Sequence, residues 1–343
     1  MRASFFGGGT DLPAWFMENG GAVLATAINK YIYLHIRYLP PIFDYNYRVA
    51  WTKMETVDTC DEIQHPVVRE ALKHYWPDHN CGFDIVYNAD LPARSGLGSS
   101  SAFTVGFLQA LSAMRGKMIS NRELAHEAIF VEQQLLKENV GCQDQITTAL
   151  GGFNRIDFLP GGGWRVTPVT MPLSRRNELE DHIMMFFTGF MRSASAIEAQ
   201  KIENIGKKQQ QLRRMHAMVS EAQEILMSSG DMVFDFASLL DEAWQLKREL
   251  ASSVSTSNID DAYRAAIQAG AWGGKLLGAG GGGFMMFLVP PDRREAVRQA
   301  LAELVEVPIK MESEGSRVVL YDPSLSNNYG ISSPAARKGR AAA

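Results

Sequence analysis

Glycines, hydroxyls and two carboxylates are the residues of this 343-residue chain whose grouping could do chemistry. The segment Leu91-Pro-Ala-Arg-Ser-Gly-Leu-Gly-Ser-Ser-Ser-Ala-Phe103 sets Gly96, Leu97, Gly98, Ser99, Ser100 and Ser101 ahead of Phe103, Phe107, Leu111 and Met114, which keep helical spacing. This reads as a loop running into a helix whose first turn carries hydroxyls. Free N–H groups and the positive end of the helix dipole favour phosphate there, and glycines let the backbone approach its oxygens. A plain helix cap with turn glycines would have the same local sequence. Glu132 interrupts the helical row Ala125, Ile129, Leu136, where a lone charge must be paired or bind a cation. Asp144, in Gly141-Cys-Gln-Asp-Gln145, reads as a loop residue past that helix, able to face a substrate. Taken singly, the two acids read rather as a solvated helix-edge glutamate and a capping aspartate.

Two further glycine clusters are Gly7-Gly8-Gly9 and Gly278 with Gly280 to Gly283. The latter matches G-x-G-x-x-G, but a dinucleotide fingerprint must open a helix, and Phe284 to Val289 reads as a strand. No G-x-x-x-x-G-K-[ST] surrounds Lys275, and the eukaryotic-type protein kinase motifs do not occur in order. What remains is a tight strand-to-strand turn approached closely by another chain segment or a ligand.

The elements that must position these groups belong to an ordinary globular chain. Hydrophobic residues make up 46% and the formal charge is −4, so no basic excess is present for a nucleic acid or an anionic membrane. Apolar runs are far shorter than a spanning helix, the N-terminal residues lack an apolar signal core, and a cytoplasmic location is expected. Three separated cysteines, Cys60, Cys81 and Cys142, read as reduced thiols. The length suggests two domains. Val23 to Tyr38, Phe83 to Tyr87, Phe153 to Phe158 and Trp164 to Val169 read as strands, and Ser120-x-x-Glu123 as a capping box. After a strand at Ile183 to Thr188, residues Ser195 to Ala251 read as two long helices. A third helix follows from Ile259, then a helix from Arg293 to about Val305 and a closing strand, Arg317 to Tyr321. The boundary falls near Pro172, giving domains 1–172 and 173–322, with 323–343 as a disordered tail.

In order, Arg2-Ala-Ser-Phe-Phe-Gly-Gly-Gly-Thr-Asp-Leu-Pro13, Pro92-x-x-x-Gly-Leu-Gly-Ser-Ser-Ser-Ala102 and Leu277-Gly-Ala-Gly-Gly-Gly-Gly-Phe284 resemble the three motifs of the GHMP kinase superfamily across roughly residues 1–322. The resemblance implies an α+β fold of two domains, an N-terminal ribosomal S5 domain 2-like domain and a C-terminal ferredoxin-like α/β domain, with the active site between them. It implies ATP and Mg²⁺ as cofactors, with Gly96 to Ser101 around the ATP phosphates and Ser100 with Glu132 holding the metal. Asp144 would be the catalytic carboxylate, with Arg2 beside it. Gly8, Gly9, Thr10, Asp11, Gly280 and Gly281 would face the acceptor. Galactokinases carry Glu-His where Gly8 and Gly9 stand, so two polar contacts are absent and space is gained. Gly7 to Pro13, Gly141 to Gln145 and Gly189-Phe-Met-Arg-Ser-Ala-Ser195 most resemble bacterial D-glycero-D-manno-heptose 7-phosphate kinases, which phosphorylate the anomeric hydroxyl and feed nucleotide-activated heptose synthesis. A sugar phosphate needs a second anion site, and Arg192 and Ser193 stand where one could form. Only Met1 precedes Arg2, so either the true start lies upstream or the strand is truncated, and truncation would leave this arginine poorly anchored. The partners implied are a sugar phosphate and ATP, in a monomer or homodimer. An L-fucose-type or N-acetylhexosamine kinase, or a non-catalytic sugar sensor, are the alternatives.

Overall fold

The computed structural model describes residues 1–40, 42–77, 82–189, 194–228 and 230–322. The first part of the chain runs β1 (Arg2–Phe6), α1 (Pro13–Asn19), β2 (Gly21–Ile28), β3 (Ile32–Leu39), β4 (Tyr47–Ala50), β5 (Met54–Val57), α2 (Pro66–Tyr75), β6 (Gly82–Ala89), α3 (Ser99–Met114), α4 (Asn121–Phe130), α5 (Gln143–Leu150), β7 (Phe153–Phe158) and β8 (Trp164–Pro168). It continues through α6 (Leu173–His182), β9 (Ile183–Phe187), α7 (Ala194–Asn204), α8 (Gln209–Met227), α9 (Met232–Leu250), α10 (Ser257–Gln268), β10 (Gly273–Leu276), β11 (Phe284–Leu288), α11 (Arg294–Ala300), β12 (Val305–Glu306) and β13 (Met311–Glu312).

These strands form three sheets. One has the order β1-β2-β7-β8 with β13 also on β2, a second β3-β6-β4-β5, and a third β10-β11-β9-β12. The stretch Val23 to Tyr38, read as one strand, is two. The chain bends at Asn29 and β3 enters a different sheet, and the patterns show why. β2 is buried throughout, whereas β3 alternates, with Ile32, Leu34, Ile36 and Tyr38 toward the core and Tyr33, His35 and Arg37 exposed. Residues 195–251 hold three helices rather than two, because the run breaks around Gly206 as well as before Met232. The helix expected from Arg293 to Val305 ends at Ala300, and Val305 instead pairs with Phe187. No strand forms at Arg317 to Tyr321, where Val319 and Leu320 are exposed; Met311 and Glu312 close the first sheet against Ile28 and Ala27. The expected tail, 323–343, lies outside the described residues, as does Cys81, while Cys60 and Cys142 are free.

The Ser120 capping box is formed, Ser120 Oγ accepting from the Glu123 amide at 3.2 Å and Glu123 Oε2 accepting from the Ser120 amide at 3.0 Å. One apolar core packs α2, α3, α4 and α5 on the first two sheets. A second runs from Phe5 and Phe6 of β1 through Val219 of α8 and Phe236 of α9 to Met286 of β11. Phe236 stacks edge-on against both Phe5 and Phe6, at centroid distances of 5.4 and 5.0 Å. The strand carrying Arg2 is thus covered on both faces. No helix among the described residues is long and apolar enough to cross a membrane.

Candidate active site

Gly98 ends the second glycine cluster in the left-handed region at φ 69°, and α3 starts at the next residue with no side-chain cap. Its first amides are therefore free to meet an anion. Ser99 and Ser101 are buried and Ser100 is exposed. A Cβ on Gly98 would lie 3.1 Å from Arg2 Cγ and 3.2 Å from Asp144 Oδ2, so this loop touches both. Arg2 donates to the two carboxylate oxygens of Asp144 from Nε at 2.7 Å and Nη2 at 2.8 Å, and to the Gly96 carbonyl from Nη1 at 2.6 Å. Such a fork fixes the plane of the carboxylate as well as its position. Asp144 sits in the first turn of α5 rather than in a loop, and its side chain is a quarter exposed. The expectation of a poorly anchored Arg2 is corrected. The residue is 3% exposed, its amide donates to Leu97 O at 3.0 Å, and the Ile28 amide donates to Met1 O at 3.0 Å.

Asp11 lies behind this pair, 3% exposed, accepting from the Gly9 amide at 2.9 Å and from the Gln143 amide at 3.4 Å. Burial, and then the charge of Glu198, push its carboxyl up to about 6. The other acceptor-side expectations separate. Gly8 has room, because a Cβ there would meet only Gln143 Nε2 at 3.7 Å and Ser4 Oγ at 3.9 Å. Gly9 is at φ 102°, where a side chain would be strained, and a Cβ there would make only ordinary contacts, 3.5 Å from Leu212 and Leu250, so its glycine answers to the backbone turn. Thr10 is fully buried, its hydroxyl within hydrogen-bond reach of Gly7 O at 2.7 Å and Ala22 O at 2.9 Å and accepting from the Ala22 amide at 3.2 Å. Arg192 and Ser193 lie outside the described residues.

The third glycine cluster does what a close-approach turn would do. A Cβ on Gly278 would fall 2.4 Å from Gly96 Cα, and one on Gly283 would fall 2.2 Å from Ser95 O. Gly280 and Gly281 pack instead on Val254, whose carbonyl accepts from the Gly281 amide at 2.8 Å. Lys247 of α9, 4% exposed, pins the same turn through Leu276 O at 2.8 Å and Gly278 O at 2.6 Å. Lys275 reaches Phe5 O at 2.7 Å, and burial, then Arg2, push it down to about 7. Burial likewise holds Lys247 well below the ordinary lysine range.

Two family models match the chain, that of the GHMP kinases N terminal domain over residues 65–152 and that of the GHMP kinases C terminal region over 226–307. The chain belongs to the GHMP kinases. It is 29% identical over 88% of its length, and 91% of the other's, to the D-glycero-alpha-D-manno-heptose 7-phosphate kinase of Campylobacter jejuni. It is 27% identical over 91% of its length to the bifunctional fucokinase/GDP-fucose pyrophosphorylase of Arabidopsis thaliana, covering 31% of that longer chain. The crystal structure of a D-glycero-D-manno-heptose 1-phosphate kinase from Bacteroides thetaiotaomicron superposes with a TM-score of 0.75 at 25% identity, over 94% of this chain and 98% of that one. The two-domain GHMP kinase fold is thus present, and the chain is a sugar kinase, a phosphotransferase with a hydroxyl acceptor.

In this GHMP kinase Glu132 is 1% exposed and sits in a π-helical turn, Val131–Leu135, that widens the end of α4. Its Oε2 accepts from Ser101 Oγ at 2.9 Å and Gln145 Nε2 at 2.5 Å, while Oε1 is buried without a partner. Burial pushes this carboxyl up to about 7. The solvated helix-edge reading is therefore corrected, and the hydroxyl bonded to Glu132 is Ser101 rather than Ser100. Sequence reading missed Lys247 and Lys275. The signals were a lysine breaking the apolar row Ala243, Leu250 on α9 and a lysine within the buried strand β10.

Proposed function

We propose that this kinase transfers the γ-phosphoryl group of ATP, with Mg²⁺, to the anomeric hydroxyl of D-glycero-D-manno-heptose 7-phosphate, giving the 1,7-bisphosphate for nucleotide-activated heptose synthesis. The observation that carries the reading is the Arg2–Asp144 fork held against Gly98, a carboxylate fixed beside a loop suited to phosphates. The free amides of α3 and Gly96 to Ser101 cradle the phosphates, where positioning and charge stabilisation supply most of the catalysis of phosphoryl transfer. Asp144 aligns the accepting hydroxyl and takes its proton. Arg2 keeps both carboxylate oxygens in place. Asp11 and Gly8 belong to the acceptor side. The unpartnered, buried Oε1 of Glu132 fits a cation, and Glu132 with Ser100 or Ser101 would hold Mg²⁺, which when bound offsets charge on the β- and γ-phosphates. The division at Pro172 into residues 1–172 and 173–322 belongs to the same proposal, with the chain returning to the first sheet at Met311 and Glu312, as does a cytoplasmic monomer or homodimer.

The heptose 7-phosphate kinase and the heptose 1-phosphate kinase it resembles carry phosphates at different positions in their names, so regiochemistry is the feature to measure. Phosphorus NMR of the product from heptose 7-phosphate and ATP should show a second phosphate coupled to the anomeric proton. A phosphate on another hydroxyl, or turnover of L-fucose and not of the heptose, would contradict the assignment.

A further inference from the structure

Lys247 and Lys275 have no part in the chemistry above, yet both bury an ammonium group beside it. Each is 4% exposed, and the hydrogen bonds of both go to backbone carbonyls, with no carboxylate among the described residues in an ion pair with either. Glu198, the carboxylate whose charge acts on Lys247, is bonded to Lys201. An ammonium taken out of water without a paired counter-charge is costly, so its place calls for a use.

The carbonyls that the two lysines meet are irregular ones. The register of β1 on β2 shifts between Ser4 and Phe6, which leaves Phe5 as the extra residue of a bulge, and Lys275 Nζ donates to Phe5 O at 2.7 Å. Bulges re-aim the strand they interrupt and are frequent beside active sites. This one stands three residues after Arg2 and just ahead of the turn that Gly7 opens. Lys247 Nζ donates at 2.8 Å to Leu276 O and at 2.6 Å to Gly278 O, on the near side of the glycine turn. A Cβ on Gly96 would lie 2.5 Å from Leu277 O, so the turn that Lys247 holds is in backbone contact with the phosphate loop. Arg2 spans the two supports. Its backbone belongs to β1, its amide donates to Leu97 O, its Nη1 donates to Gly96 O, and its other two nitrogens hold Asp144.

We infer that Lys247 and Lys275 are positioning residues for phosphoryl transfer, an ammonium brace from α9 and β10 that sets the Arg2–Asp144 fork against the phosphate loop. Lys275 fixes the strand from which Arg2 projects, and Lys247 fixes the turn on which Gly96 rests. A charged donor suits both places, because it binds a carbonyl more strongly than a neutral donor and has three N–H groups to share. Both ammonium groups are spent on backbone, so their effect on the reaction passes through Arg2 to Asp144. A misplacement of about 1 Å at a reacting group costs up to about a hundredfold in rate. The inference rests on the reading of Asp144 as the carboxylate that takes the hydroxyl proton.

The test is a pair of double-mutant cycles in the full chain, with Lys247→Met and Lys275→Met each made alone and together with Asp144→Asn. Methionine keeps an unbranched apolar stem and removes the donor. The rate kcat is taken with ATP, Mg²⁺ and the fastest acceptor among heptose 7-phosphate, galactose and L-fucose, so that it does not depend on the sugar assigned. Each lysine variant should lower kcat about tenfold or more on its own and less than about twofold in the Asp144→Asn background, with circular-dichroism melts showing a folded chain at the assay temperature. If one lysine variant unfolds, the other decides. An unchanged kcat, or equal losses in the two backgrounds, would overturn the brace and leave the reading of Asp144 standing. Unfolding of both lysine variants would overturn it as well, because the two ammonium groups would then serve the fold alone. Undiminished turnover in Asp144→Asn by itself would bring down the reading of Asp144 and the inference with it.

Discussion

Asp11 shows how much the site asks of a single residue. Its carboxyl is buried beside Glu198 and raised from 3.8 to about 6. Between about pH 4 and pH 6 the folded chain holds a proton that the unfolded chain has released. The contribution of this group to stability therefore falls as pH rises through that window and is flat above it. Asp11→Asn removes the titration. Relative to wild type the variant should gain stability from pH 4 to pH 6.5, by up to about 3 kcal/mol. Thermal melts of both proteins across that range check this, and a constant difference would contradict it. Asp11 remains in place because Gly141 leaves no Cβ to strike it, since one there would lie 1.8 Å from Oδ2. The residue types of this centre were legible in the chain: Arg2 and Asp144 are paired, Asp11 accepts from the Gln143 amide and Glu132 accepts from Ser101. Which hydroxyl bonds Glu132 was not legible, because three consecutive serines at a helix start differ only in which way the first turn points them.

Among the elements, the turn between β10 and β11 shows glycine spacing acting through contact rather than through a ligand. Gly283 is at φ 107° with Ser95 O in the place of its missing side chain. Gly283→Ala should cost about 2 to 4 kcal/mol and displace the loop at Ser95 and Gly96. KM for ATP should then rise more than KM for the sugar, as steady-state kinetics would show; equal rises would mean that the two loops are not coupled. The turn's role as a close approach was readable from four successive glycines before a strand. The strands around it were readable where burial is uniform, as in Phe284–Leu288, and misread where two runs of similar composition belong to different sheets, as at β2 and β3. The closing strand was missed because a two-residue pairing at Met311 leaves no alternation to detect, while Val318, Val319 and Leu320 offer β-formers that the fold leaves exposed.

Over the whole molecule, the second apolar core ties the strand of Arg2 to α8, α9 and the third sheet, so the two family domains share packing. Phe236, fully buried between Phe5, Phe6 and the helices, is central to it. Phe236→Ala should cost about 3 to 5 kcal/mol. Calorimetry and a nucleotide-binding probe should report one coincident, lowered transition, whereas two separated transitions would show that the halves unfold independently. Phosphoryl transfer follows from what this packing holds together, a phosphate loop, a forked carboxylate and an open glycine face. The central claim is tested most directly by magnesium-dependent ADP release from wild type and Asp144→Asn, with heptose 7-phosphate, unphosphorylated heptose, galactose and L-fucose. Turnover confined to heptose 7-phosphate, and reduced about a hundredfold or more in Asp144→Asn with nucleotide binding retained, is the predicted result. Undiminished turnover in Asp144→Asn, or a preference for an unphosphorylated sugar, would contradict it.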